Sequence, residues 1–118
     1  MILDVESPVD NRARRIGENE VVFRDLNERL KELNEAFSLV EEQTSFVCEC
    51  GDPRCTERIT MSLAQYEDLR SHAEWFAVVK GHETAEVEAV IEEREGYDVV
   101  AKHEGGPAQL ARAHDPRP

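Results

Sequence analysis

Cys48, Cys50 and Cys55 are the only cysteines of the chain, and all three stand in the run FVCECGDPRC. A thiolate is a soft metal ligand and a redox nucleophile, so such density admits a metal site, redox chemistry or a knot of small buried apolar side chains. An odd number cannot be consumed by disulfides among themselves. In a strand, alternate side chains share a face, so Cys48 and Cys50 should project together while Glu49 points away. Gly51-Asp52-Pro53-Arg54 is turn chemistry that returns the chain to Cys55. The Cys-x-Cys-x4-Cys spacing then lets three sulfurs converge, as in a zinc knuckle.

A tetrahedral Zn2+ ion needs a fourth donor, and the histidines are His72, His82, His103 and His114. His114 lies in the terminal segment and His103 ends the last expected strand. His72 stands near the end of a short helix, where an imidazole can simply meet the dipole. His82 follows Gly81 on a turn that can aim its ring at the cysteines. The expected ligand set is therefore Cys48, Cys50, Cys55 and His82, with zinc as the ion. Three metal-free buried cysteines are the plainer alternative, and the loop character of Gly-Asp-Pro-Arg weighs against it. A redox role for Cys48 and Cys50 fits less well, because the usual redox spacing is Cys-x-x-Cys followed by a helix.

Four protein ligands close the shell and make the ion structural, and three thiolates leave zinc a poor Lewis acid. The expectation is thus a non-enzymatic zinc protein. If His82 were not a ligand, an open position would suit a zinc-dependent enzyme with Glu83 as general base, although the ordinary reading of Glu83 is a solvated surface carboxylate. A metal-free thiol redox sensor is the other alternative. The sequence has no glycine-rich phosphate loop, and no serine or cysteine nucleophile has a base partner in sequence.

The elements that must hold these residues follow from periodicity. Phe23, Leu26, Leu30, Leu33, Phe37 and Val40 are spaced 3, 4, 3, 4 and 3, which is a heptad seam on one helix of roughly 25 residues starting near residue 17. That seam either lies along the domain's own sheet or forms an interface with a twin or another protein. Strand-like pieces follow at Phe46 to Cys50 and Arg58 to Met61. Ser62 and Gln65 form a capping box, predicting a helix from Leu63 to about Ala73 with Leu63, Tyr66 and Leu69 buried. Trp75 to Val79 reads as a strand. Val87 to Glu93 and Tyr97 to Lys102 flank Arg94-Glu95-Gly96 as a hairpin. The predicted fold class is α+β: a long N-terminal helix, a small, mostly antiparallel sheet with one short helix, and a zinc-knuckle-like cysteine turn. Residues 1–16 are expected to be a flexible arm, 17–103 a single zinc-stabilised domain, and 104–118, rich in glycine and proline, a mobile tail.

Composition narrows the partners. The 118 residues suit one domain, and 26 acidic against 14 basic side chains give a net charge of -12, which repels a phosphate backbone. Nucleic acid is not the expected partner. Arg12, Arg14 and Arg15 run against this trend, and in an arm they could touch nucleic acid or an acidic partner, or simply be solvated. The start has no secretory pattern and no segment matches a membrane span, so the chain reads as cytoplasmic, where clustered cysteines favour metal over disulfide. A protein partner, or self-association through the helix, is expected. No membrane or small-molecule substrate is.

The stretches NEVVFRDLNERLKELNEAF, FVCECGDPRCTERITMSLAQYEDLR, FAVVKGHE and YDVVAKHE together resemble a group of short uncharacterised proteins common in high-GC Gram-positive bacteria. The resemblance runs from about Asn11 to Pro116. It brings no activity with it; it implies that the cysteines and the Gly81-His82 turn belong to one unit.

Overall fold

The computed structural model of the chain describes residues 8–36 and 43–117. Helix α1 (Pro8–Ala36) starts well ahead of residue 17, so Arg12, Arg14 and Arg15 are helical and do not belong to a flexible arm; residues 1–7 of that expected arm lie outside the described residues. One stripe of α1 is buried: Ile16, Glu20, Val21, Arg24 and Asn27. Most of that stripe is polar, and the heptad seam is displaced from it. Leu30 packs against the core and Phe23 is half-buried, but Leu26 and Leu33 are exposed. Phe37 and Val40 lie outside the described residues. Periodicity finds the apolar face of a helix, and here the inward face is held by specific polar partners that no periodicity records.

Strands β1 (Thr44–Val47) and β2 (Arg58–Met61) pair antiparallel, Thr44 opposite Met61. Helix α2 (Leu63–Arg70) carries the capping box in full: Gln65 N–H donates to Ser62 Oγ at 3.1 Å, and Ser62 N–H to Gln65 Oε1 at 2.8 Å. It ends at Arg70, earlier than expected, with Tyr66 and Leu69 buried. Strands β3 (Trp75–Val78), β4 (Glu88–Arg94) and β5 (Tyr97–Lys102) form a second antiparallel sheet in the order β3-β5-β4, and Gly96 closes the β4–β5 hairpin at φ 87°. The antiparallel α+β class is as the sequence predicts, with the strands divided between two sheets.

The segment expected to be a mobile tail instead folds as helix α3 (Gly106–Ala113), with Ala108 and Ala111 buried. It packs against α1, where Gly17 faces Pro107 and Leu110. Arg24 of α1 secures it by donating to the carbonyls of Ala73 at 2.7 Å and of Ala111 and His114 at 3.0 Å, with its guanidinium 4.9 Å from the centre of the Phe76 ring. Past α3, Arg117 pairs with Glu28 and Glu67. The docking was hidden because small residues and prolines make a weak hydrophobic signal, while the arginines that hold them are remote in sequence.

The two sheets meet through Glu49. Its N–H donates to Ala77 C=O at 2.8 Å and its carboxylate accepts from Ala77 N–H at 3.0 Å, so one residue supplies both partners that β3 would take from a neighbouring strand. That carboxylate is fully buried and grips Arg70 bidentately at 2.7 and 2.8 Å, with Asn27 Nδ2 at 2.8 Å. Phe46, Ile59, Met61, Tyr66, Leu69, Ala77, Tyr97 and Val99 pack as one core cluster; Cys48, Cys50, Phe76, Val78, Val100 and Ala111 form another. Among the described residues, no helix is long and apolar enough to cross a membrane.

Candidate metal centre

The cysteines lie just beyond the end of β1, not within it. Cys48 N–H still donates to Glu57 C=O at 3.0 Å, continuing the β1–β2 pairing for one more residue. Glu49 then points to Arg70 while Cys48 and Cys50 are buried elsewhere, in the cluster with Phe76 and Val78. Gly51 follows where α1 leans on the loop. A Cβ at Gly51 would come within 2.4 Å of Ile16 Cγ2, so only glycine fits, and Asn19 Nδ2 donates to the Gly51 carbonyl at 3.1 Å. Asp52 to Cys55 is a β-turn with Pro53 at its second position: Cys55 N–H donates to Asp52 C=O at 3.0 Å and Arg54 N–H to Asp52 Oδ1 at 2.9 Å. This turn returns the half-buried Cys55 to its two partners.

The histidine comes from the other sheet. After β3, Val79 to His82 form a second β-turn, His82 N–H to Val79 C=O at 2.9 Å, and Gly81 takes φ 89° at the third position, as a type II turn requires. His82 Nδ1 thereby lies 3.7 Å from Cys48 Sγ and 3.6 Å from Cys55 Sγ. One ligand atom from each of Cys48, Cys50, Cys55 and His82 falls within 4.8 Å of all the others, and the four can hold a metal ion. Among the described residues, no other group of three or more His, Cys, Asp or Glu side chains converges in this way.

Two features prepare the sulfurs for a cation. Val79 N–H donates to Cys48 Sγ at 3.2 Å, a bond that favours negative charge on sulfur. Cys50 is held down at about 5, mainly because the Cys48 thiol donates to it, with smaller help from the Asp52 backbone and His82. The same bond and burial push Cys48 up, and burial pushes Cys55 up.

His82 presents its other ring nitrogen outward, Nε2 3.7 Å from Glu57 Oε2. A metal-bound imidazole is commonly steadied by a carboxylate on its far nitrogen, and Glu57 occupies that place. The remaining histidines are engaged elsewhere. His72 stacks on Trp75 with ring centres 3.6 Å apart, His103 Nε2 lies 3.3 Å from the Ala85 carbonyl, and His114 caps α3. Glu83 is exposed. Glu49 and Glu57 support the site without any signal in the sequence, since a glutamate in an acidic chain reads as surface; Gly51 is legible as a turn residue, but its close approach to Ile16 comes from a helix remote in sequence. No family model, curated protein or solved structure matches the chain, so the reading of the site rests on its own geometry.

Proposed function

We propose that the chain is a non-enzymatic, zinc-stabilised cytoplasmic module that acts through protein–protein contact. The convergence of three sulfurs and one imidazole nitrogen within 4.8 Å carries this reading. Zinc bonds of about 2.3 Å to sulfur and 2.0–2.1 Å to nitrogen give a tetrahedral S–N edge of roughly 3.6 Å. The two sulfur–Nδ1 distances, 3.6 and 3.7 Å, agree with that edge. Thiolate-rich sites of tetrahedral form favour zinc over the harder cations. When bound, the ion would supply cohesion: the loop after β1 belongs to one sheet and the turn after β3 to the other, and a structural zinc joins binding to folding.

A closed four-ligand shell leaves no place for a reacting water, and the exposed Glu83 has nothing to activate. Function then falls to the outer surface, where α1 presents Val22, Leu26 and Leu33 to solvent beside an acidic exterior. X-ray absorption on reduced, metal-loaded protein should show three sulfurs and one nitrogen around one zinc per chain. An oxygen in the shell would favour the enzyme reading; a chain purified without metal, its thiols freely reactive, would favour a thiol sensor. Substituting Cys50→Ser should remove the metal and lower the melting temperature by about 10 °C or more.

A further inference from the structure

The outward face of α1 carries a pattern that commits it to a particular occupant. Val22, Leu26 and Leu33 are 62%, 41% and 52% exposed. With Arg29 they follow a spacing of 4, 3 and 4, offset by two residues, about half a turn, from the buried Glu20, Arg24 and Asn27. The stripe therefore points away from the sheets, and the C-terminal segment borders it only where Pro116 shares a cavity with Asp25, Glu28, Arg29 and Glu32.

Four of the charges beside the stripe are arranged symmetrically, while the exposed Asp25 has no charged counterpart. Arg15, Glu18, Arg29 and Glu32 are all exposed. Arg15 and Glu32 are equidistant from the same point, between Phe23 and Arg24, about which Glu18 and Arg29 are also equidistant. Among the described residues Arg15, Arg29 and Glu32 have no ion-pair partner in their own chain, and Glu18 has only the exposed Arg14 at 3.6 Å.

We propose that α1 pairs antiparallel with α1 of a second copy of this chain, about a two-fold axis near Phe23 and Arg24. Each Arg15 then faces Glu32 of the other copy and each Glu18 faces Arg29, giving four cross-dimer pairs. Val22 and Leu26 of the two copies meet around the axis, and Leu33 covers the aliphatic stem of the opposing Arg15. A parallel pairing would set Arg15 against Arg15 and Glu32 against Glu32, so the charge order selects the antiparallel form. The two-fold makes the surface self-complementary, as a closed dimer requires. This inference rests on the protein-contact half of the proposed function and is independent of the metal.

Sedimentation equilibrium of the metal-loaded full chain tests it, from low micromolar to several hundred micromolar, with zinc content measured on the same samples. A monomer–dimer equilibrium is expected, with a dissociation constant on the order of micromolar for so small an interface. Substituting Arg15→Glu should raise that constant about tenfold, since two pairs become repulsive, and Arg15→Glu with Glu32→Arg should restore it. The variant Leu26→Asp/Leu33→Asp should be monomeric with an unchanged far-UV spectrum. A wild-type monomer throughout the range overturns the dimer, as does a charge swap that fails to restore association lost in Arg15→Glu. A monomer that retains zinc leaves the metal reading intact, whereas a dimer without zinc overturns that reading and supports this one.

Discussion

His82 faces the sulfurs with one nitrogen and a carboxylate with the other, and the second contact is the less conspicuous. If Glu57 orients the ring and raises its basicity, Glu57→Gln should weaken zinc binding by about tenfold while leaving the fold of the loaded protein unchanged. Competition against a chromophoric chelator measures this, and an unaltered affinity would mean that the 3.7 Å approach of Glu57 does nothing for the metal. At this scale the four converging residues were legible because their types are scarce and their spacing is local: two cysteines with one residue between them, a turn, a third cysteine, and a histidine on a glycine turn. Glu57 was not legible. Its role depends on β2 returning alongside the cysteine loop, and a glutamate among 26 acidic residues has nothing to distinguish it.

Elements were read accurately where their signals are local. The Ser62–Gln65 capping box and the Gly96 hairpin each lie within a few residues of the structure they specify. Helix α1 shows the opposite case. Its apolar spacing marked Leu26 and Leu33, yet the stripe that packs inward includes Glu20, Arg24 and Asn27. Each of these binds a partner far away in sequence: Lys102, the carbonyls of Ala73 and Ala111, and Glu49. A charged residue can line a core only when such partners exist, and the sequence does not reveal them. The contact between α1 and the cysteine loop is equally specific. Gly51→Ala should destabilise the protein by about 1–3 kcal/mol through overpacking against Ile16. Combined with Ile16→Ala, the substitution should cost less than the two separate effects added together. Chemical denaturation of the four proteins provides the comparison, and strict additivity would show that the loop relaxes without touching the helix.

For the whole molecule, the buried trio of Glu20, Lys102 and Glu88 sets an expectation for pH. Lys102 binds both carboxylates, and all three side chains are enclosed. Burial, then a bond with Glu88, pushes Glu20 up to about 9 against the attraction of Lys102, while Glu88 is lowered and stays ionised. Folded Glu20 therefore keeps a proton that the unfolded chain has released once the pH passes about 4.5. Its contribution to stability is complete below that pH and is lost as the pH climbs towards 9. In Glu20→Gln the amide takes the place of the protonated acid. The denaturation midpoints of wild type and variant, measured in saturating zinc, should move in favour of the variant between pH 6 and pH 8.5. A gap that does not change over this range would show that Glu20 is ionised.

The four candidate ligands are unevenly divided along the chain: three within the loop after β1, and one 27 residues beyond Cys55. An ion could be captured by the cysteines while the rest of the polypeptide is still searching, and would then wait as a tethered hook for the imidazole. Joining the ends of so long a loop is an entropic obstacle to assembly, and a partly coordinated ion gives the encounter an immediate reward. Refolding with zinc present from the start should therefore outpace refolding of the stripped chain, in stopped-flow traces of Trp75 fluorescence. Equal rates would mean that the ion arrives only after the sheets have met.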